Sequence, residues 1–148
     1  YALIEAEKAM EAEEIPVGAI VVKDGIIIWR GYNLKEKKSN PTEHAEIIAI
    51  REACSNIGDW RLNGCEMYVT LEPCPMCAGA ILQSRISRLY IGTFNKDMGA
   101  CGAVVNLVDN RRLNSFVNVI WTYDERCSDI LKIFFHLKRN GILQKRRL

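Results

Sequence analysis

Tyr68-Val69-Thr70-Leu71-Glu72-Pro73-Cys74-Pro75-Met76-Cys77-Ala78 passes from one backbone pattern to another, with two cysteines at the seam. Glu66–Leu71 reads as a strand, rich in β-branched and aromatic side chains. Pro75 fits the first position of a helix, where a missing N–H costs nothing, and that helix runs to about Ser84. Cys74 then takes the N-cap place and Cys77 follows three residues on, so both sulfurs can reach one ion. A helix N-terminus lowers a thiol's pKa through its free N–H groups and dipole, and thiolate is the form that binds metal.

Outward from this seam the chain alternates helices and strands. Residues 1–14 are Ala- and Glu-rich with apolar Leu3, Ala6 and Met10, a helical period that Pro16 stops. Val17–Val22 and Ile26–Trp29 are β-branched runs around Lys23-Asp24-Gly25, a hairpin signal. Asn33–Pro41 is polar loop, and Thr42 is the expected N-cap of a helix carrying Ile47, Ile48, Ala49 and Ile50. After the seam come a strand at Arg88–Gly92, a loop at Gly99–Gly102 and a strand at Ser115–Trp121. A closing helix over Asp124–Arg139 puts Ile130, Ile133, Phe134 and Leu137 on one side. Helices interleaved with hydrophobic strands predict one layered α/β domain with a mixed sheet, spanning residues 1–148.

His44-Ala45-Glu46 stands thirty residues before Cys74, also at a helix start. Neutral imidazole from His44 would complete a His-Cys-Cys set. Three protein ligands leave a fourth tetrahedral position for water, which separates catalytic zinc sites from closed structural ones. Glu46 would take a proton from that water and return protons to the reacting molecule. Residues two apart on an ideal helix point about 200° from each other. His44 and Glu46 therefore share a site only if it lies near the helix axis, off the N-terminus. A closed Cys3His site with Cys101, Cys65, Cys54 or Cys127 is the structural alternative, and a redox Cys74–Cys77 pair leaves His44 and Glu46 unexplained. His136 lies among bases on the last helix and reads as surface or substrate-facing.

The 148-residue length, 49% apolar content and 26% charged content fit one soluble globular domain. No apolar run approaches the ~18 residues of a membrane span, and no export signal is legible, so no membrane association is expected. The chain opens at Tyr1 inside a helical pattern, which predicts native residues ahead of it. Six cysteines would allow three disulfides, but chain size and a Cys-x-x-Cys pair point instead to metal and a reducing, cytoplasmic setting. The net charge is only +2, yet residues 132–148 carry six bases (Lys132, Lys138, Arg139, Lys145, Arg146, Arg147) and no acid. Such an end can meet phosphates through counterion release or simply be solvated.

The pair of motifs resembles the H-x-E…P-C-x-x-C signature of the zinc-dependent base deaminases. Beyond it, Ile15–Ala19, Gly31-Tyr32-Asn33, Asn40–Ile47, Tyr68–Ala80, Ser84-Arg85-Ile86, Gly99–Ala103 and Phe134-Phe135 resemble the bacterial tRNA-specific adenosine deaminases along nearly the whole chain. The Ser-Arg-Ile stretch and the Gly-Ala-Cys-Gly loop narrow the likeness to that branch. It implies a three-layer α/β/α cytidine-deaminase-like fold with a five-stranded mixed sheet, usually as a homodimer. It implies hydrolysis of adenosine to inosine at the wobble position of a tRNA anticodon stem-loop. One zinc ion would sit on His44, Cys74 and Cys77, with Glu46 catalytic. The base would be splayed into the pocket, as single-stranded RNA recognition requires. Asn33 and the Ala45 backbone would then hold it, Val17 would wall the pocket, and Phe134 or Phe135 would pack near the anticodon. Lys138 and Arg139 would meet phosphates. Val17, Phe134 and Phe135 also have a plain core reading. Relatives often carry an acid at the place of Asn95, where this chain has an amide.

Two other functions are open at this level. Guanine and cytosine deaminases share the zinc motif, although the basic end and the Gly-Ala-Cys-Gly loop favour RNA. A zinc-stabilised RNA-binding module without catalysis is the other.

Overall fold

The computed structural model describes residues 1–143. Helix α1 spans Ala2–Glu11, and strands β1 (Gly18–Lys23) and β2 (Ile26–Tyr32) follow. Then come α2 (Ala45–Ile57), β3 (Cys65–Leu71), α3 (Pro75–Gln83), β4 (Arg88–Thr93), β5 (Asp109–Asn110), β6 (Ser115–Phe116), β7 (Asn118–Trp121) and α4 (Glu125–Arg139). The Lys145-Arg146-Arg147 cluster lies outside the described residues.

Five strands form one sheet in the order β2-β1-β3-β4-β7. β1 is antiparallel to β2 and β3, whereas β3, β4 and β7 run parallel. Parallel neighbours need a crossover, and α3 supplies the one between β3 and β4. Helices α2 and α3 cover one face, where Val21, Ala49, Met67, Ile81, Leu89 and Ile91 make the main core. Helices α1 and α4 cover the other, with Ala6, Ala9, Cys127 and Phe134 buried there. The expected three-layer mixed sheet is therefore present.

One close approach seats α2 on the sheet. A Cβ on Gly31 would collide with the Ala45 carbonyl and lie 2.8 Å from the Ala49 nitrogen, so α2 rides directly on β2. That seats the start of α2, and hence His44, against the sheet. The carboxyl ends of the parallel strands β3 and β4 open on the same edge, the usual place for a ligand crevice in an α/β sheet.

Several boundaries differ from expectation for local reasons. Thr42 does not cap α2: its N–H and hydroxyl both bond the Asn40 Oδ1 in a turn, and His44 is the N-cap. The Ser115–Trp121 run is not one strand. Ser115–Phe116 pairs with β5, Val117 N–H bonds the Val108 carbonyl, and only Asn118–Trp121 joins the main sheet. Helix α1 ends early because Glu13 turns left-handed at φ 60 and the Glu14 N–H bonds the Ala9 carbonyl, a Schellman-type stop. On α4, Ile133 points to solvent rather than joining Phe134 in the core.

Candidate active site

Both ligand motifs sit at helix N-caps. His44 caps α2 with extended backbone (φ −80, ψ 155), and Cys74 caps α3 in the same way (φ −71, ψ 172) with Pro75 behind it. His44 Nδ1 is 3.6 Å from Cys74 Sγ and 3.5 Å from Cys77 Sγ. One donor atom from each lies within 4.8 Å of the other two. Among the described residues, no fourth His, Cys, Asp or Glu completes that group. Cys54, Cys65, Cys101 and Cys127 are free thiols elsewhere in the fold, and burial pushes Cys101 up to about 12. The described residues therefore do not form a closed Cys3His site.

The cap conformation of His44 removes the angular difficulty with Glu46. His44 is not in the helix, so the 100° step per residue does not govern it. Glu46, in the first turn and 4% exposed, lines the same cavity as His44 and Cys74. Burial is the largest influence on this carboxyl and raises it to about 7.

The three donors polarise one another. The Cys77 thiol, then the His44 ring, hold Cys74 as thiolate and pull its pKa down to about 4. Cys77 is raised, first by its hydrogen bond to Cys74 and then by burial. His44 is raised, chiefly by the same Cys74 sulfur. The imidazole nitrogen and the two sulfurs thus converge on one point. Soft sulfur and borderline imidazole in a three-donor set suit a single zinc ion. The residues fit that metal.

Beside them is a cavity of about 280 Å³, walled by Val17, Asn33, Ala45, Glu46, Glu72 and Asn95 among others. Val17 faces this cavity and is otherwise buried, at 8% exposure. Asn33 is pinned at both ends of its amide: Nδ2 donates to the Ile15 carbonyl at 3.2 Å, and Oδ1 accepts from the Lys35 N–H at 3.2 Å. One N–H and one lone pair remain for a ligand. Ala45 opens the first turn of α2, where backbone N–H groups have no helical partner. Phe134 is 1% exposed and packs edge-on to Phe135 beneath Lys138. Phe134, Phe135, Lys138 and Arg139 do not line this cavity, and the latter three are exposed on α4. Lys35, Leu71, Glu72 and Met98 do line it without having been singled out from sequence. Glu72 stood inside the motif; Met98 carried no signal. A larger cleft of about 790 Å³ lies on the α1–α4 side of the sheet and contains none of the four motif residues.

Residues 1–93 match the family profile of the cytidine and deoxycytidylate deaminase zinc-binding region. The chain is 44% identical over 135 residues to the tRNA-specific adenosine deaminase of Bacillus subtilis, covering 90% of this chain and 84% of the relative. It superposes at TM-score 0.84 and 40% identity on a structure solved in studies of A-to-I editing by tRNA:A34 deaminases, covering 88% of this chain and 95% of the other. The guanine deaminase of Bacillus subtilis is more distant, at 31% identity and TM-score 0.60 over 99% of this chain and 94% of that one. Within the zinc-binding cytidine and deoxycytidylate deaminases, the chain belongs to the tRNA-specific adenosine deaminase family.

Proposed function

We propose that this protein is a zinc-dependent hydrolase converting adenosine to inosine at the wobble position of a tRNA anticodon. The observation that carries the reading is one juxtaposition: the His44, Cys74 and Cys77 donors meet within 4.8 Å beside buried Glu46, on a cavity sized for a base. His44, Cys74 and Cys77 would hold the zinc ion, which when bound lowers the pKa of a coordinated water to about 7. Glu46 accepts a proton at its carboxylate and delivers protons to the ring nitrogen and the leaving amine. Burial holds that carboxyl at about 7, close to the pH at which it must both take and give. The spare N–H and lone pair of Asn33 and the free Ala45 N–H orient the base edge. Val17 packs on its face and excludes water. Phe135, Lys138 and Arg139 lie on the exposed side of α4, where anticodon bases and phosphates would pass outside the cavity.

Residues 1–148 form a single deaminase domain in this reading, acting as a homodimer in the cytoplasm. Among the described residues, no helix is long and apolar enough to cross a membrane. The test is incubation with an unmodified anticodon stem-loop carrying adenosine at the wobble position, beside free guanine and cytosine. Inosine in the loop is the expected product. Ammonia from a free base alone would transfer the assignment to that base.

A further inference from the structure

Two buried carboxylates stand apart from the ligands and from the proton work of Glu46. Glu72 and Glu14 are each 1% exposed. Among the described residues neither is paired with a Lys, Arg or His side chain. Their partners are backbone N–H groups on the two segments that wall the cavity. Glu72 Oε2 accepts from Asn95 at 3.0 Å, and its Oε1 accepts from Cys101 and Ala103, each at 3.0 Å. Glu14 Oε1 accepts from Lys37 at 2.6 Å and its Oε2 from Glu36 at 3.2 Å.

The fit around Glu72 is tight enough to dictate sequence. A Cβ on Gly99 would collide with the Glu72 carboxylate, so the 95–103 loop wraps it only with glycine there. The Ala100 N–H adds a bond to the Pro73 carbonyl at 2.9 Å, one residue before Cys74. Within the loop, the Met98 N–H bonds the Asn95 Oδ1 at 3.0 Å, which ties the two cavity-lining residues together. On the opposite lip, Glu14 holds the turn that follows Asn33 and Lys35, both of which line the cavity.

We propose that Glu72 and Glu14 are positioning residues that fix the two lips of the substrate cavity, Asn95–Met98 and Asn33–Lys35, relative to the ligand set. A buried side chain whose two oxygens accept N–H groups from a neighbouring segment ties that segment's backbone to its own element, and breaking such a bond leaves a buried group unpaired. The lips touch the incoming nucleotide but neither hold the metal nor move protons. Loosening one removes binding shared by ground and transition states, which raises KM and leaves kcat in place.

This inference rests on the RNA deaminase reading, so its test has one arm with substrate and one without. Glu72→Gln keeps the size but turns an acceptor into a donor facing the Asn95 N–H. KM for the anticodon stem-loop is expected to rise roughly tenfold, with kcat changed less than about threefold and zinc still bound, the pattern of lost uniform binding. Glu14→Gln is expected to move KM in the same direction. In the substrate-free arm, hydrogen exchange at the Asn95 amide accelerates in Glu72→Gln, while the Cys101 and Ala103 amides stay slow on the retained oxygen. If the unaltered protein deaminates no RNA, the functional reading fails and the exchange arm still judges the clamp. Unchanged exchange at Asn95, a fall in kcat at constant KM, or loss of zinc in Glu72→Gln overturns the proposal. Should Glu72→Gln not fold, Gly99→Ala displaces the same loop with the carboxylate intact, and an unchanged KM there overturns it equally.

Discussion

Arg51 Nη1 donates to the Glu43 Oε1 at 2.7 Å, and Glu43 is the residue immediately before His44. A half-exposed guanidinium on α2 thereby braces a buried carboxylate in the turn that delivers the metal-binding imidazole. Lys38 stands 3.3 Å from the other oxygen. The Arg51 hydrogen bond is the largest influence on this carboxyl and holds it below its ordinary value.

Arg51→Ala should therefore destabilise the protein by about 1 kcal/mol at pH 7, less than a fully buried charged hydrogen bond is worth because Arg51 is partly solvated. The sign with pH follows from the depressed carboxyl. Its contribution is present above the unfolded-state value of 4.5 and is lost as pH falls through the lower folded-state value. Denaturant melts of the two proteins should differ at pH 7 and converge in acid. A difference that persists once Glu43 is protonated would show that Arg51 acts by packing alone.

Glu46→Gln should keep one zinc per chain and lower kcat by about 10²–10⁴, the usual worth of a positioned acid–base group. In the unaltered enzyme the carboxyl must be ionised to accept a proton. Its burial-raised value of about 7 places an acid limb in kcat/KM at or below that pH, since a bound cation favours the carboxylate. Metal analysis with a pH–rate profile checks both. Zinc lost with this substitution would make Glu46 structural.

The ligands were legible in the sequence because imidazole and paired thiols at helix starts have few other uses. The placement of Glu46 was not, since the extended backbone that frees His44 from helical spacing is a conformation and has no residue code. Thr42 misled because Asn40, two residues away, captured the same side chain that would have capped α2. Alternation through Phe116-Val117-Asn118 looks like one strand and conceals that the chain changes sheets at Val117. Glu72 and Glu14 were invisible as clamps because their partners are N–H groups that nearly every residue carries.

Zinc binding should strengthen as pH rises. Cys74, lowered to about 4, is already thiolate near neutrality, but Cys77 is held protonated by its neighbour and by burial. Coordination must displace that proton, and the His44 proton at lower pH. Each proton released raises apparent affinity up to about tenfold per pH unit. Chelator competition between pH 6 and 8 measures the slope. A flat profile would mean that both sulfurs are deprotonated before metal arrives. Removing the zinc should abolish deamination, and restoring it should recover activity.

Phe134 and Phe135 are adjacent yet should behave oppositely. Phe134 is 1% exposed in the α1–α4 layer, and Phe134→Ala should cost about 3–5 kcal/mol of stability as a buried aromatic does. Phe135 is 40% exposed, so Phe135→Ala should spare stability and weaken RNA binding if its ring stacks on an unpaired base. Thermal melts and binding of the stem-loop separate the two. A Phe135→Ala protein with unaltered RNA affinity would remove that ring from the interface.

Lys138 and Arg139 close α4 on its exposed side, in the last turn, where cations also complement the helix dipole. Neutralising both to Gln should therefore carry a small helix cost and a larger electrostatic one. For single-stranded RNA, each ion pair to phosphate that is removed should flatten the dependence of log affinity on log salt by about 0.7, so removing two reduces the slope by about 1.4. The weakening should be the same for stem-loops of different sequence, because phosphate contacts position the RNA without reading it. Titrations at several salt concentrations provide the slope directly. An unchanged slope with weakened binding would mean that the two residues support the helix, and that phosphate is met elsewhere on the protein.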